Sequence, residues 1–202
     1  MKKLPSIFYL QGDVVHIAKG LLGKIVVTAF NGELTSGRIV ETEAYVANDD
    51  KASHAYAGRR TARNEHMYGA PGTAYVYICY GMHQMFNVVT NKNNIPDAVL
   101  IRAIEPISGV DIMLRRTGKI LSDHTLTRGP GNVGKALGIS KMHSGTNLTS
   151  NEFFLAADQD REPGIETIAA SKRIGVSYAG EDANLPYRFY LEGNKYVSGR
   201  PR

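Results

Sequence analysis

The apolar positions near the start of the chain change from a helical to a strand period. Val14, Val15, Ala18, Leu21 and Leu22 recur at helical spacing behind Asp13, which predicts a helix over 14–22 with Asp13 as N-cap and Gly23 closing it. "KIVVTAF" then reads as a strand, "NGE" as a hairpin turn and "GRIVETEAY" as the partner strand. Alternation along that partner puts Ile39, Glu41, Glu43 and Tyr45 on one face, and Arg38, Val40, Thr42 and Ala44 on the other. Two carboxylates and an aromatic ring make an odd face to bury.

Residues 46–72 are polar and loop-like, holding "NDD", "GRRTARN" and "GAPG", and a connection that long in a compact domain is commonly functional. "TAYVYICYG" is the strongest strand, and "AVLIRAIEP", bounded by Pro106, is the next. Residues 108–117 read as helical, and "RGPGNVGKALGI" as a tight turn into a short helix ending at Gly138. Further strands are predicted at "EFFLAA", at "RIGVSY" and in "YRFYLEGNKYVSG", the last a hairpin turning at Gly193-Asn194. No repeat, low-complexity tract or linker interrupts the pattern. Many strands, few helices and no regular alternation of the two predict one α+β domain over 1–202, built on a mostly antiparallel sheet.

Charge changes the picture only modestly. With 24 Lys+Arg against 19 Asp+Glu, the net charge of +5 fits a polyanionic partner, nucleic acid first. Cys79 is the sole cysteine, which excludes a disulfide within the chain and the zinc or iron–sulfur sites built on cysteine pairs. The opening "MKKLPSIFYLQGDVV" has lysines like a signal peptide, but Pro5, Gln11, Gly12 and Asp13 break its apolar run. No stretch of about 18 apolar residues occurs, so no membrane partner is expected and the cytosol is the expected location.

Several groups could carry chemistry. Tyr75 and Tyr77 share one strand face, whereas Tyr80 has the opposite parity and sits at the strand's exit before Gly81. These rings suit an amphipathic core as well as a surface that stacks on a flat ligand. Arg59, Arg60 and Arg63 read equally as a solvated face or as phosphate contacts. The turn in "RGPGNVGKAL" offers a helix N-terminus to a phosphate oxygen but lacks Walker spacing. Glu41, Glu43, Asp49, Asp50, His54 and His66 could hold a metal, although neither HExxH nor a histidine pair at i, i+4 is present. There is no GxSxG elbow, and Cys79 lies in an apolar strand where thiols are normally inert. A carboxylate remains, as a general base or as the ion-pair partner of an arginine such as Arg102, and pattern alone leaves both open.

The blocks "GRIVETEAY", "SHAYAGRRTARN", "MYGAPGTAYVYICYGMHQMFNVV", "AVLIRAIEP", "RGPGNVGKALGI" and "RIGVSYAGEDANLPYRFY" together closely resemble the alkyladenine (3-methyladenine) DNA glycosylase family, in order, from about residue 8 to residue 198. The resemblance implies a curved antiparallel sheet with surrounding helices and a β-hairpin projecting into DNA. It also implies a monomer needing no metal or cofactor, which hydrolyses the bond between a damaged purine and its deoxyribose in double-stranded DNA. Such an enzyme would be cytoplasmic and associated with the nucleoid through its DNA.

By the same resemblance Glu43 is the general base that activates water against the sugar C1′, and Arg102 holds that water and Glu43. An ion pair with Arg102 would favour the charged form that a base needs. Tyr45 and His54 match one wall of the flipped-base pocket, Tyr77 the opposite wall, and Asn87 the residue obstructing the 2-amino group of normal guanine. Tyr80 matches the side chain that wedges into the duplex, with Met82 and His83 beside it. Arg59, Thr61, Arg63 and Met67 match a segment that tracks the DNA backbone, and Gly131 and Lys135 lie at a further phosphate contact. The turn here reads Gly129-Pro130-Gly131-Asn132, where the family usually has Gly-Pro-Gly-Lys or Gly-Pro-Ser-Lys. Asn132 thus removes one phosphate contact, for which Lys135, one turn along, is the candidate replacement. Flipping costs a few kcal/mol, which stacking would offset, and a cationic alkylated purine favours aromatic faces. Lesions as different as 3-methyladenine, 7-methylguanine, hypoxanthine and ethenoadenine suit such a pocket. Two other classes stay open: a catalytically silent lesion-binding protein on the same fold, and a metal-dependent hydrolase using Glu41, Glu43, Asp49 and His54.

Overall fold

Asp13 caps a helix as its sequence position predicts. In the computed structural model, which describes residues 1–159 and 167–199, its carboxylate accepts the N–H groups of Val15 and His16 at 2.9 and 3.2 Å. The capped helix is α2 (Val14–Leu21), preceded by the single turn α1 (Ser6–Tyr9). Val14, Ile17, Ala18 and Leu21 of α2 are buried, the stripe expected of an amphipathic helix lying on a sheet.

The hairpin also forms where the sequence places it. β1 (Ile25–Phe30) and β2 (Glu33–Tyr45) are joined through Asn31 (φ 54°) and Gly32 (φ 77°), the pair of left-handed residues that a type I′ turn requires. Six further strands complete one sheet: β3 (Ala74–Cys79), β4 (His83–Thr90), β5 (Asp97–Ser108), β6 (Phe153–Ala156), β7 (Ile168–Ser171) and β8 (Arg188–Leu191). The order is β3-β4-β5-β2-β1-β6, with β8 also beside β2 and β7 beyond β8. Each of these pairings is antiparallel, and the architecture is α+β.

Long β2 organises the sheet. One edge runs along β5; the other pairs first with β1 and then, at Glu41–Glu43, with β8. The β2–β5 register slips between Ile39 and Glu41 and again between Glu41 and Thr42, so Val40 and Arg102 each stand without a direct partner across that ladder. Thr42 donates its hydroxyl to the Ala18 carbonyl at 2.9 Å, tying this part of β2 to α2.

Helices α3 (Val110–Thr117) and α4 (Pro130–Ala136) follow β5. Two glycines let α4 lie directly on β4. A Cβ at Gly131 would stand 2.6 Å from the His83 ring, and one at Gly134 would stand 2.2 Å from the Gln84 carbonyl oxygen.

Three expectations need correction. β5 does not stop at Pro106: it runs to Ser108, and Pro106 pairs with Gly37 where the register slips, a place that tolerates its missing N–H. "RIGVSY" is not a strand. Gly175 is left-handed (φ 79°), and the Ile174 N–H is spent on the Glu43 side chain, so the segment turns into 3-10 structure over Ser177–Asn184. The final hairpin is only half formed. β8 ends at Leu191, and after Gly193 the Ser198 N–H bonds the Glu41 carboxylate instead of a returning ladder.

Gly134→Ala forces a methyl group against backbone that cannot rotate away. The substitution is expected to cost about 1–3 kcal/mol, as overpacking does, read as a lowered urea midpoint; unchanged stability would mean that α4 is free to shift off β4.

Candidate active site

The two glutamates of "GRIVETEAY" end up inside the protein, both 0% exposed. Buried carboxylates need partners, and strands on both sides of β2 supply them. Arg102, on β5, places Nε 3.0 Å from Glu41 Oε1 and Nη1 3.2 Å from Glu43 Oε1. Arg188, on β8, places Nε 2.6 Å from Glu41 Oε1. Glu43 also accepts the Ile174 N–H on Oε1 and the Tyr45 hydroxyl on Oε2, each at 2.8 Å. Burial disfavours the Arg102 charge, but Glu43 and Glu41 outweigh it and hold the guanidinium above its ordinary pKa. The expected pairing of Glu43 with Arg102 is therefore present, but Arg102 is shared with Glu41.

Aromatic rings stand next to this carboxylate. Tyr45 is fixed through its hydroxyl, and the Arg173 guanidinium lies over its ring at 4.9 Å. Burial, with the Glu43 charge adding to it, raises the Tyr45 pKa well above that of a free phenol, so the ring stays protonated. His54 and Tyr77 do not face one another across a slot. Their rings meet edge to face at 4.6 Å, leaving no room for a purine between them, so they form one continuous surface. Tyr75, on β3 below them, bonds His54 Nδ1 through its hydroxyl at 2.9 Å. Asn87, on β4, is buried and donates its amide to the Tyr75 and Met85 carbonyls at 3.3 and 3.2 Å.

Arg173 and Asp50 complete the setting; the sequence offers Asp50 only as one of six possible metal ligands and gives Arg173 no role. Arg173 bonds both carboxylate oxygens of Asp50 and donates to the Ala44 carbonyl at 3.0 Å. This buried pair ties the 46–52 loop to the 173–176 turn and covers one face of Tyr45. No periodicity marks it: an arginine in "RIGVSY" reads as the solvent-facing position of a strand.

A polar rim surrounds the rings. Arg59, Thr61 and Arg63 are exposed; Arg63 donates to the Ile78 carbonyl at 3.3 Å, and its guanidinium lies 5.3 Å from the Tyr77 ring centroid. At the β3–β4 tip Tyr80 (φ 50°) and Gly81 (φ 72°) are both left-handed, and the Tyr80 side chain is 88% exposed. Met82 and His83 are exposed beside it, and His83 rests against Gly131.

Two residues expected on the DNA side lie elsewhere. Met67 is 2% exposed and packs with Ala55, Tyr75, Val89 and Ala98; its 3-10 turn, Glu65–Tyr68, puts the apolar side chain inward, so it supports the rings from beneath. Lys135 donates to the Thr117 carbonyl at 3.1 Å, capping the end of α3 instead of replacing a lysine at 132. Asn132 turns inward as well, bonding the Arg128 and Thr125 carbonyls at 2.8 and 3.2 Å. Among the described residues, no three His, Cys, Asp or Glu side chains converge as a metal site, and no helix is long and apolar enough to cross a membrane.

This combination has known counterparts. The profile of the family described as methylpurine-DNA glycosylase (MPG) matches residues 7–195. Three similar proteins carry the name "putative 3-methyladenine DNA glycosylase". One, from Chlamydia felis (strain Fe/C-56), is 49% identical over 193 residues, 95% of this chain and 97% of its own. Another, from Bacillus cereus (strain AH187), is 45% identical over 203 residues, 96% and 98% of the two chains. The third, from Desulfitobacterium hafniense (strain Y51), is 44% identical over 206 residues, 98% and 99%. The chain belongs to the methylpurine-DNA glycosylase family, whose chemistry is hydrolysis of N-glycosyl bonds in DNA repair.

Burial, reinforced by Arg63 and Arg59, lowers the His54 pKa from 6.5 to about 4. The imidazole is therefore neutral at physiological pH. Folding stability should fall as pH drops from 6.5 towards about 4, because over that window only the unfolded chain takes up the His54 proton. A proton NMR titration of the His54 ring should show its midpoint near 4; one near 6.5 would mean that the ring is solvated.

Proposed function

We propose that this protein is a monofunctional, monomeric DNA glycosylase that extrudes alkylated or deaminated purines from duplex DNA and hydrolyses the glycosidic bond with a water activated by Glu43. The observation that carries the reading is the setting of Glu43. Oε1 is occupied by the Ile174 amide and the Arg102 guanidinium, while among the described residues Oε2 accepts the Tyr45 hydroxyl alone. A carboxylate oxygen has two lone pairs, so Oε2 has one to offer a water; because Glu43 is 0% exposed, that water would enter as the cleft opens beside Tyr45. That is where a base against Tyr45 would present its sugar C1′.

The remaining residues take roles that follow from their positions. A purine stacked on the open face of Tyr45 would meet the joint His54–Tyr77 surface on its other side. Asn87, locked by two carbonyls, is too constrained to move aside for an added 2-amino group. Tyr80 presents a bulky ring at an exposed tip, where with Gly81 it supplies the left-handed pair of a turn closed by the Met82 N–H on the Cys79 carbonyl at 3.2 Å; a tyrosine is a costly residue for that conformation. A ring placed there could fill the gap left by an extruded nucleotide. Arg59, Thr61 and Arg63 would hold the neighbouring phosphates.

In hydrolysis, Glu43 takes a proton from the water as its oxygen bonds to C1′, and the C1′–N bond breaks with its electron pair leaving on the base. For purines alkylated at N3 or N7 the base is cationic and departs neutral, so no acid is required. Glu41 and Glu43 are already paired with guanidinium groups, which supports a reading in which Glu43 itself activates the water.

Glu43→Gln is expected to reduce release of 3-methyladenine from methylated duplex DNA by about 10²–10⁴-fold, the contribution typical of a positioned base. Affinity for the lesion duplex should change little. A variant that releases base at the wild-type rate would remove Glu43 from the role, and a wild-type protein that binds lesions but releases none would be the silent binder. Release should persist in chelator. The abasic strand should remain intact, and borohydride should trap no covalent enzyme–DNA adduct, since no lysine is placed at the reaction centre; a trapped adduct would instead establish lyase chemistry.

A further inference from the structure

Among the described residues, Glu41 is a heavily engaged carboxylate whose partners are two arginines and Ser198 and none of the rings. Its Oε1 receives Arg102 Nε at 3.0 Å, Arg188 Nε at 2.6 Å and the Ser198 hydroxyl at 2.9 Å; its Oε2 receives the Ser198 N–H at 2.7 Å. Ser198 is the hub of the return path. Its hydroxyl oxygen accepts from Arg102 Nη2 at 3.1 Å, and its carbonyl accepts from Arg188 Nη2. Arg188 also donates Nη1 to the Ser171 hydroxyl at 3.0 Å. Each nitrogen of Arg102 therefore has an assigned partner: Nε with Glu41, Nη2 with Ser198 and Nη1 with Glu43.

From this geometry we infer that Glu41, Arg188 and Ser198 are positioning residues for the reaction. They hold the Arg102 guanidinium in one orientation and fix how much positive charge reaches Glu43. The proposal rests on Glu43 being the base. The two carboxylates and two guanidiniums cancel in charge, so Glu43 faces a cation already half-satisfied by Glu41. Without the Glu41 charge, Glu43 would be the one carboxylate left against Arg102 and Arg188; its other neighbours, Arg173 balanced by Asp50 and the protonated phenols of Tyr45, Tyr77 and Tyr178, would add no compensating negative charge. Glu43 would then hold a proton less readily and attack through water more slowly. A role confined to holding the fold together would change the folded fraction without altering how the rate depends on pH.

The test is Glu41→Gln, assayed as single-turnover release of 3-methyladenine from methylated duplex DNA across pH. The rate should fall about 10- to 100-fold, part of what a positioned base contributes. The low-pH limb of the profile should move down by about one pH unit or more, as expected for loss of a nearby negative charge. Glu41→Asp, which keeps the charge, should restore the position of the limb even where the rate stays low. Ser198→Ala and Arg188→Lys, milder changes suited to the case in which Glu41→Gln fails to fold, should slow release while leaving affinity for the lesion duplex within about threefold. Wild-type limb positions in the folded Glu41→Gln variant, or wild-type rates in both milder variants, would overturn the proposal. Glu43→Gln separates the two readings: if it remains active the base assignment fails, whereas if it is inactive and the Glu41, Arg188 and Ser198 variants behave as wild type, only the positioning role falls.

Discussion

Two carboxylates and two guanidinium groups lie almost wholly buried at the centre of this sheet, and the rest of the structure is arranged to make that tolerable. Taking an ion out of water costs several kcal/mol, recovered only when geometry is good and the remaining donors and acceptors are satisfied. Here β2 contributes Glu41 and Glu43, β5 contributes Arg102, and β8 contributes Arg188. The 173–176 turn adds an amide, and the segment after β8 adds Ser198. Three strands and two loops must therefore meet in one register. Removing one partner would leave an uncompensated buried charge, a defect worth about 3–5 kcal/mol, so the network acts on fold and chemistry together.

That dependence explains which parts of the protein could be read in advance. Local signals with local causes were legible: the Asp13 cap, the Asn31-Gly32 turn, the β-rich run at 74–79 and the short helix after Gly129. Expectations failed where long-range polar contacts outbid the backbone ladder. Ile174 and Ser198 give their N–H groups to glutamates, so two segments with a strand-like pattern end as turns. Pattern puts Glu43, Arg102 and the rings forward as candidates but leaves their roles open, and the roles come only from blocks of sequence resembling a family. Arg173 and Arg188 lie inside the block "RIGVSYAGEDANLPYRFY" and Ser198 just beyond it, yet none is marked out, because a buried arginine or serine is identified by its partners, and those lie more than a hundred residues away for Arg173–Asp50, Arg188–Glu41 and Ser198–Glu41.

The hairpin tip shows the opposite economy. Tyr80 adopts a conformation that favours glycine or asparagine and exposes its ring, held locally by the turn bond from the Met82 N–H to the Cys79 carbonyl at 3.2 Å. Its mounting is correspondingly firm. Gly131 and Gly134 bring α4 against His83 and the Gln84 backbone, the Gln84 side chain accepts the Lys141 N–H at 2.9 Å, and Arg63 bonds the Ile78 carbonyl from the neighbouring loop. The left-handed tip is tolerable because the base of the hairpin is braced by α4 on one side and by Arg63 on the other.

The distribution of charge resolves why a basic protein should keep acidic groups beside its rings. Glu41 and Glu43 are balanced by Arg102 and Arg188, and Asp50 by Arg173, so these inner pairs contribute no net charge. Tyr45 and Tyr77 are held protonated by burial, and His54 is held neutral. A purine made cationic by alkylation would therefore meet aromatic faces without a surplus of positive charge to repel it. The unbalanced arginines lie at the rim, where phosphates would lie, and Arg63 and Arg59 also help burial to keep His54 unprotonated. Phosphates neutralising those arginines would relieve part of that suppression. DNA lying over the cleft would deepen the burial of His54, the larger of its causes, and so would favour the neutral ring.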